Sequence, residues 1–130
     1  MIALTNISLF NGHADHFCED ASVIFADGEI IYAGPNEGSP AVHEEAQVID
    51  GMGHFVMPGM VESHAHLSYI NNGPLELDKS PVEEVVIKTI HNARVMLGSG
   101  FTSAISFGSV HRVDEFLKSG IECGEGLGPR

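Results

Sequence analysis

The chain has 130 residues, 43% of them apolar, the length and composition of an ordinary globular unit. Its 18 acidic side chains against 6 basic ones give a formal net charge of -12, which disfavours nucleic acid and anionic membrane surfaces as partners. Two cysteines, Cys18 and Cys123, are too few for a disulfide framework or a cysteine-ligated zinc ribbon, and no apolar run approaches the roughly 18 residues of a membrane span, so a cytoplasmic setting is expected.

Residues 2–10 have the apolar pattern of a strand, which Asn11-Gly12 stops. Runs at 21–26 and 29–33 flank Asp27-Gly28, a dipeptide suited to the positive φ values of a two-residue type I′ turn, and predict a hairpin. Cys18 falls in the loop before it. Residues 36–46 are polar and read as a surface connection. Short strands follow at 47–49 and 55–57, around a turn through Asp50, Gly51, Met52 and Gly53. Residues 1–57 are thus strand and turn without a helical period, and Pro58-Gly59 marks a change of character.

Beyond that break, residues 60–66 read as a strand that turns Met60, Glu62, His64 and His66 to one face and Val61, Ser63, Ala65 and Leu67 to the other. A loop over 68–79 leads to a helix. Ser80 and Glu83 have capping-box spacing, Pro81 suits a first helical position, and Val82, Val86, Ile90, Ala93 and Leu97 recur at three- and four-residue steps up to Gly98. A second strand is expected over 101–107 and a second helix over 110–118, ended by Gly120. The tail from Gly124 has too little apolar content for an element. Strand, helix, strand, helix points to a parallel sheet with crossover helices.

The chemistry concentrates at His64 and His66. Neutral imidazole is a common ligand for zinc and related metals, and i, i+2 spacing on a strand puts both rings on one side. Parallel βα proteins build their sites at the carboxyl ends of strands, where this pair lies. A pair of surface or hydrogen-bonded histidines is the plainer alternative. Glu62, on the same face, reads equally as a group that orients His64 or as a satisfied polar residue. Tyr69, Asn71 and Asn72 follow the pair and either line a substrate pocket or form an ordinary surface loop. His13 and His16 have H-x-x-H spacing without a supporting carboxylate and read as solvated. His54, His91 and His111 read as surface histidines, and neither cysteine has a basic neighbour to activate it.

The stretch VMPGMVESHAHL, residues 56–67, resembles the metal-binding signature of the amidohydrolase superfamily: an apolar pair, Pro-Gly, two apolar residues, an acid, then His-x-His. Asp27-Gly28, and Ile49-Asp50 with Gly53, resemble the hairpin and turn of the small β-sandwich with which that family typically begins. GFTSAISFG at 100–108 resembles its second barrel strand, and IECGEGLGPR at 121–130 the segment leading into the third. The GFT and GPR phrases look most like the imidazolonepropionase and prolidase-like branch. Glu62 stands where the family more often has Asp, and Ile105-Ser106 where prolidase-like members often have Arg-Asp.

The resemblance implies an α/β fold in which residues 58–130 are the first two βα units of a TIM (β/α)8 barrel and residues 1–57 a partial small β-sandwich. It implies that His64 and His66 bind a divalent metal, expected to be zinc, with Glu62 behind them. The whole enzyme would hydrolyse an amide, peptide or related C–N bond of a small molecule with metal-activated water. The other ligands and the general base would come from later strands. The chain alone is therefore expected to be inactive, and to pair with the C-terminal remainder of the enzyme or with itself as a homo-oligomer. Two alternatives stay open: a non-catalytic truncated homologue serving as an interaction module, and a ring deaminase of the same superfamily.

Overall fold

A computed structural model describes residues 1–69, 76 and 79–130, and the chain divides into two compact units, Met1–Pro58 and Gly59–Arg130. The division falls at the Pro58-Gly59 dipeptide.

The first unit is one mixed sheet of five strands, β1 (Ile2–Leu9), β2 (Cys18–Ala26), β3 (Glu29–Pro35), β4 (Gln47–Asp50) and β5 (Phe55–Val56), in the order β3-β2-β1-β4 with β5 also on β1. Asp27 and Gly28 take φ values of 53° and 83°, the left-handed pair that a type I′ turn needs, and β2 and β3 pair antiparallel from Ala26 and Glu29 outward. The second turn lets β4 and β5 lie parallel to the same β1. There the Asp50 Oδ1 accepts the Met52 amide and the Asn6 side-chain amide, both at 2.8 Å, while Met52 and Gly53 adopt positive φ. Ile7, Leu9 and Ala21 form the buried cluster, with Leu4, Val23, Val56 and Cys18 packed on it. Cys18 is thus the first residue of β2 and part of this packing, not a loop residue.

The second unit carries β6 (Met60–Ala65), α1 (Val82–Gly98), β7 (Phe101–Ser106), a 3-10 turn at Val110–Arg112, and α2 (Val113–Glu122). Strands β6 and β7 pair in parallel, Met60 opposite Phe101 and Ala65 opposite Ser106, with α1 as their crossover. Leu67, Ala93 of α1 and Leu117 of α2 form the buried cluster, and Met96 and Ile121 pack against it. The chain is a mixed α/β fold.

Three expectations are corrected, and a fourth, that the tail forms no element, holds. No hydrogen bond joins Ser80 to Glu83; Pro81 itself occupies the N-cap, and its carbonyl accepts the amides of Glu84 and Val85. Of the predicted α1 stripe Ala93 is buried and Leu97 half-buried, but Val82, Val86 and Ile90 are exposed, and Val85 and Thr89 are buried in their place. The second helix begins later and ends later than predicted, because His111 and Arg112 sit in the left-handed region at φ 56° and the helix then runs through Gly120 to Glu122. The tail is held although it forms no element: Arg130 donates to the Thr102 carbonyl and accepts from the Ala104 amide, each at 2.8 Å, the spacing of a parallel neighbour beside Ser103.

Candidate metal centre

The carboxyl end of β6 carries the two histidines. Ala65 between them is buried, which anchors the strand while its neighbours on either side reach the opposite face. The His66 Nδ1 lies 2.9 Å from the Gly108 carbonyl oxygen. A carbonyl only accepts, so Nδ1 carries the proton and Nε2 keeps its lone pair. That Nε2 faces the His64 Nε2 at 3.3 Å.

Two nitrogens bound at about 2.1 Å to one tetrahedral ion lie about 3.4 Å apart, so the pair fits two corners of a zinc-like coordination shell. Among the described residues no third His, Cys, Asp or Glu joins them.

Aromatic rings flank both imidazoles. Phe107 stacks on His64 with centroids 4.1 Å apart and planes 6° apart, and Tyr69 stacks on His66 at 4.5 Å and 11°. Asn71 and Asn72 lie outside the described residues. Glu62 is near the pair but holds backbone: its Oε1 accepts the His64 amide at 3.0 Å, and its hydrogen bond does not go to either ring. Among the described residues His16 meets the neighbouring Asp15, at 2.9 Å on the surface, and both cysteines are free thiols.

The loop after β7 completes the surroundings. The Phe107 amide donates to the Ala65 carbonyl at 2.9 Å, and the Val110 amide to the hydroxyl of the buried Ser68 at 3.1 Å. On the other side, the Asn92 amide of α1 donates to the carbonyls of Leu67 and Tyr69 at 2.8 and 2.9 Å, clamping the chain that leaves the histidines. Ser106 and Ser109 donate their hydroxyls to the two carboxylate oxygens of Asp114, in the first turn of α2. Partial burial pushes the Asp114 carboxyl up, and these two hydroxyls pull it down further, leaving it below the usual aspartate range.

Sequence reasoning did not single out Asn92, Phe107, Gly108, Ser109 or Asp114. Ser106 stood out only as a departure from the family pattern, and the one local signal was a glycine directly after a predicted strand.

No family model matches the chain. Over 63 residues it is 40% identical to a 5-methylthioadenosine/S-adenosylhomocysteine deaminase of Halalkalibacterium halodurans, a match covering 48% of this chain and 14% of that protein. Over 86 residues it is 28% identical to an imidazolonepropionase of Brucella suis, covering 58% of this chain and 21% of that one. Among solved structures, an amidohydrolase superposes with a TM-score of 0.82 at 24% identity, over 99% of this chain and 30% of that one. A Xaa-Pro dipeptidase with bound methionine in its active site superposes with a TM-score of 0.82 at 23% identity, over 99% and 32%. The structural likeness establishes an α/β fold shared with amidohydrolases. The chain spans less than a third of the length of each of these proteins.

Proposed function

We propose that this chain forms the amino-terminal part of a metal-dependent amidohydrolase, in which residues 58–130 are the first two βα units of a (β/α)8 barrel and residues 1–57 part of a small β-sandwich. The observation that carries the reading is the pair of imidazoles on one strand end, with Nε2 atoms 3.3 Å apart and the His66 tautomer fixed by Gly108. The near-complete superposition of the chain on an amidohydrolase and a dipeptidase supports it.

In this reading His64 and His66 hold a divalent metal, zinc being the best match to two neutral imidazoles. When bound, the ion supplies Lewis-acid polarisation of the scissile carbonyl and a water acidified to a pKa of about 7. The chain's own residues orient and shield. Gly108 and Phe107 keep the two rings in place, and Glu62 fixes the main chain at His64. Tyr69, stacked on His66, borders the entry of a small amide or peptide-like substrate. Among the described residues none is assigned a proton transfer; the general base and remaining ligands are assigned to the rest of the enzyme, whose setting we take to be cytoplasmic. The 40% identity to a deaminase favours one second reading, deamination of a nitrogen heterocycle on the same metal site.

Titration of the chain with zinc by calorimetry tests the proposal. Weak binding is expected in the wild type and loss of it in His64→Ala and in His66→Ala. Binding unchanged in both variants would refute the site. Hydrolytic turnover by the chain alone, above the His64→Ala background, would refute the assignment of the remaining machinery to other strands.

A further inference from the structure

We propose that Asp114 is a positioning residue of this centre: through Ser106 and Ser109 it fixes the loop that presents the Gly108 carbonyl to His66, and so sets which His66 nitrogen is free for a ligand. The proposal rests on the reading of His64 and His66 as metal ligands.

The argument starts from hydrogen counts. A serine hydroxyl has one hydrogen and two lone pairs. Because each oxygen of Asp114 takes one hydroxyl hydrogen, both serines are left as acceptors. Ser106 Oγ then accepts the Gly108 amide at 3.3 Å, and Ser109 Oγ the Asp114 amide at 3.3 Å. Gly108 is thus pinned on its amide side by a hydroxyl that Asp114 orients, and its carbonyl is left for His66 Nδ1. With no acceptor at position 114, the Ser106 hydrogen is free to turn elsewhere and Gly108 loses its fixed partner.

The backbone shows why the loop needs such a hold. Gly108 has φ +117°, and His111 and Arg112 both lie at φ 56°, a region that residues with a Cβ seldom occupy. Strained conformations of this kind persist only where surrounding contacts over-determine them. Asp114 follows directly, as the second residue of α2. A plainer role, an acid favoured by the helix dipole in the first turn, asks for no particular partner. Here each oxygen accepts a hydroxyl of the loop, Oδ1 taking the Glu115 amide at 3.1 Å as well. Glu115, equally in that first turn, instead pairs with Arg112 at 2.6 Å and makes no hydrogen bond to the loop serines.

The test uses the full 130-residue chain and two readouts, the 15N shifts of the His66 ring and the zinc dissociation constant. In the wild type the His66 ring should show one protonated Nδ1 and one unprotonated Nε2. Asp114→Ala should average the two nitrogens and raise the zinc dissociation constant about tenfold or more, the usual effect of losing a partner behind a ligand. Asp114→Asn, whose single side-chain carbonyl oxygen can replace one of the two acceptors, should fall between. Glu115→Gln should change neither readout. A folded Asp114→Ala chain with the wild-type His66 tautomer would overturn the proposal. If Asp114→Ala does not fold, Ser106→Ala combined with Ser109→Ala keeps the helix charge and carries the same expectation, and a wild-type tautomer there would overturn the proposal equally. The tautomer readout needs no metal. Zinc binding indifferent to His64→Ala and His66→Ala therefore defeats the metal reading without deciding the role of Asp114.

Discussion

Gly51 has no room for a side chain. A Cβ there would lie 2.2 Å from the Ile7 Cγ2 and 3.0 Å from the Thr5 carbonyl oxygen, and Ile7 is among the largest fully buried side chains. Its amide also donates to that Thr5 carbonyl at 2.8 Å, so the turn cannot swing away without losing a hydrogen bond. Gly51→Ala should therefore destabilise the first unit by about 1–3 kcal/mol, the usual cost of overpacking. A urea midpoint equal to that of the wild type would show that the turn repacks freely. Charge acts differently at Asp114. Its carboxyl lies below the ordinary value of 3.8 in the folded chain, since burial is outweighed by the hydroxyls of Ser106 and Ser109. A folded pKa below the unfolded one contributes stability above the unfolded pKa, and that contribution disappears as pH falls through the folded value. The wild type should thus exceed Asp114→Asn in urea midpoint at pH 6, and the gap should shrink progressively below about pH 4. A gap that widens on acidification would reverse the sign and refute the assignment. Asp50 is lowered by the Met52 amide and then by Asn6, and titrates in the same direction.

The start of α1 separates local pattern from tertiary choice. With Pro81 at the N-cap, Ser80 lies one residue outside the helix and bonds no helical amide. Ser80→Ala should change stability by less than about 0.5 kcal/mol, whereas a working serine cap is worth about 1 kcal/mol. A loss near that larger value in thermal unfolding would restore the capping box. Where the backbone itself dictates the outcome, the sequence was readable: Asp27-Gly28 forms its hairpin turn because few other dipeptides accept two positive φ values, and the strand and helix order after Pro58-Gly59 follows the hydrophobic period. The limits of α2 were not readable, because Gly120 has nothing within 4 Å of a Cβ position and is tolerated inside the helix, while two non-glycine residues enter the left-handed region before it. Main-chain pairing at Arg130 leaves no trace in side-chain pattern. The same holds at the site. The side-by-side placement of His64 and His66 follows from strand period alone, but Gly108 reaches His66 across 42 residues through parallel pairing of β6 with β7. Its contribution is a carbonyl, which every residue type possesses. Phe107, Asn92 and Asp114 likewise act through contacts that no local spacing encodes.

At the scale of the molecule, the second unit leaves much apolar surface in water. Parallel strands are ordinarily covered on both faces, yet Val61 of β6 and Ile105 of β7 are 58% and 54% exposed, and Phe116 of α2 is 76% exposed. An open groove of about 410 Å³, lined by Leu67, Ala104, Ile105, Leu117 and Ile121 among others, runs between β7 and α2. In the proposed enzyme, further βα units would cover these surfaces. In the chain by itself each square ångström left apolar costs about 25 cal/mol relative to burial, which favours association. The net charge of -12 opposes it by mutual repulsion between copies. Salt screens that repulsion, with a Debye length falling from about 10 Å at 0.1 M to about 3 Å at 1 M, and leaves apolar burial intact. Sedimentation should accordingly show concentration-dependent self-association that strengthens from low to high salt, accompanied by binding of an apolar dye. Val61→Thr combined with Ile105→Thr should weaken both, because those side chains offer the largest exposed aliphatic surface on the two paired strands. A dye-silent monomer at every salt concentration would show that these surfaces are satisfied within one chain, and would remove the need for a covering partner.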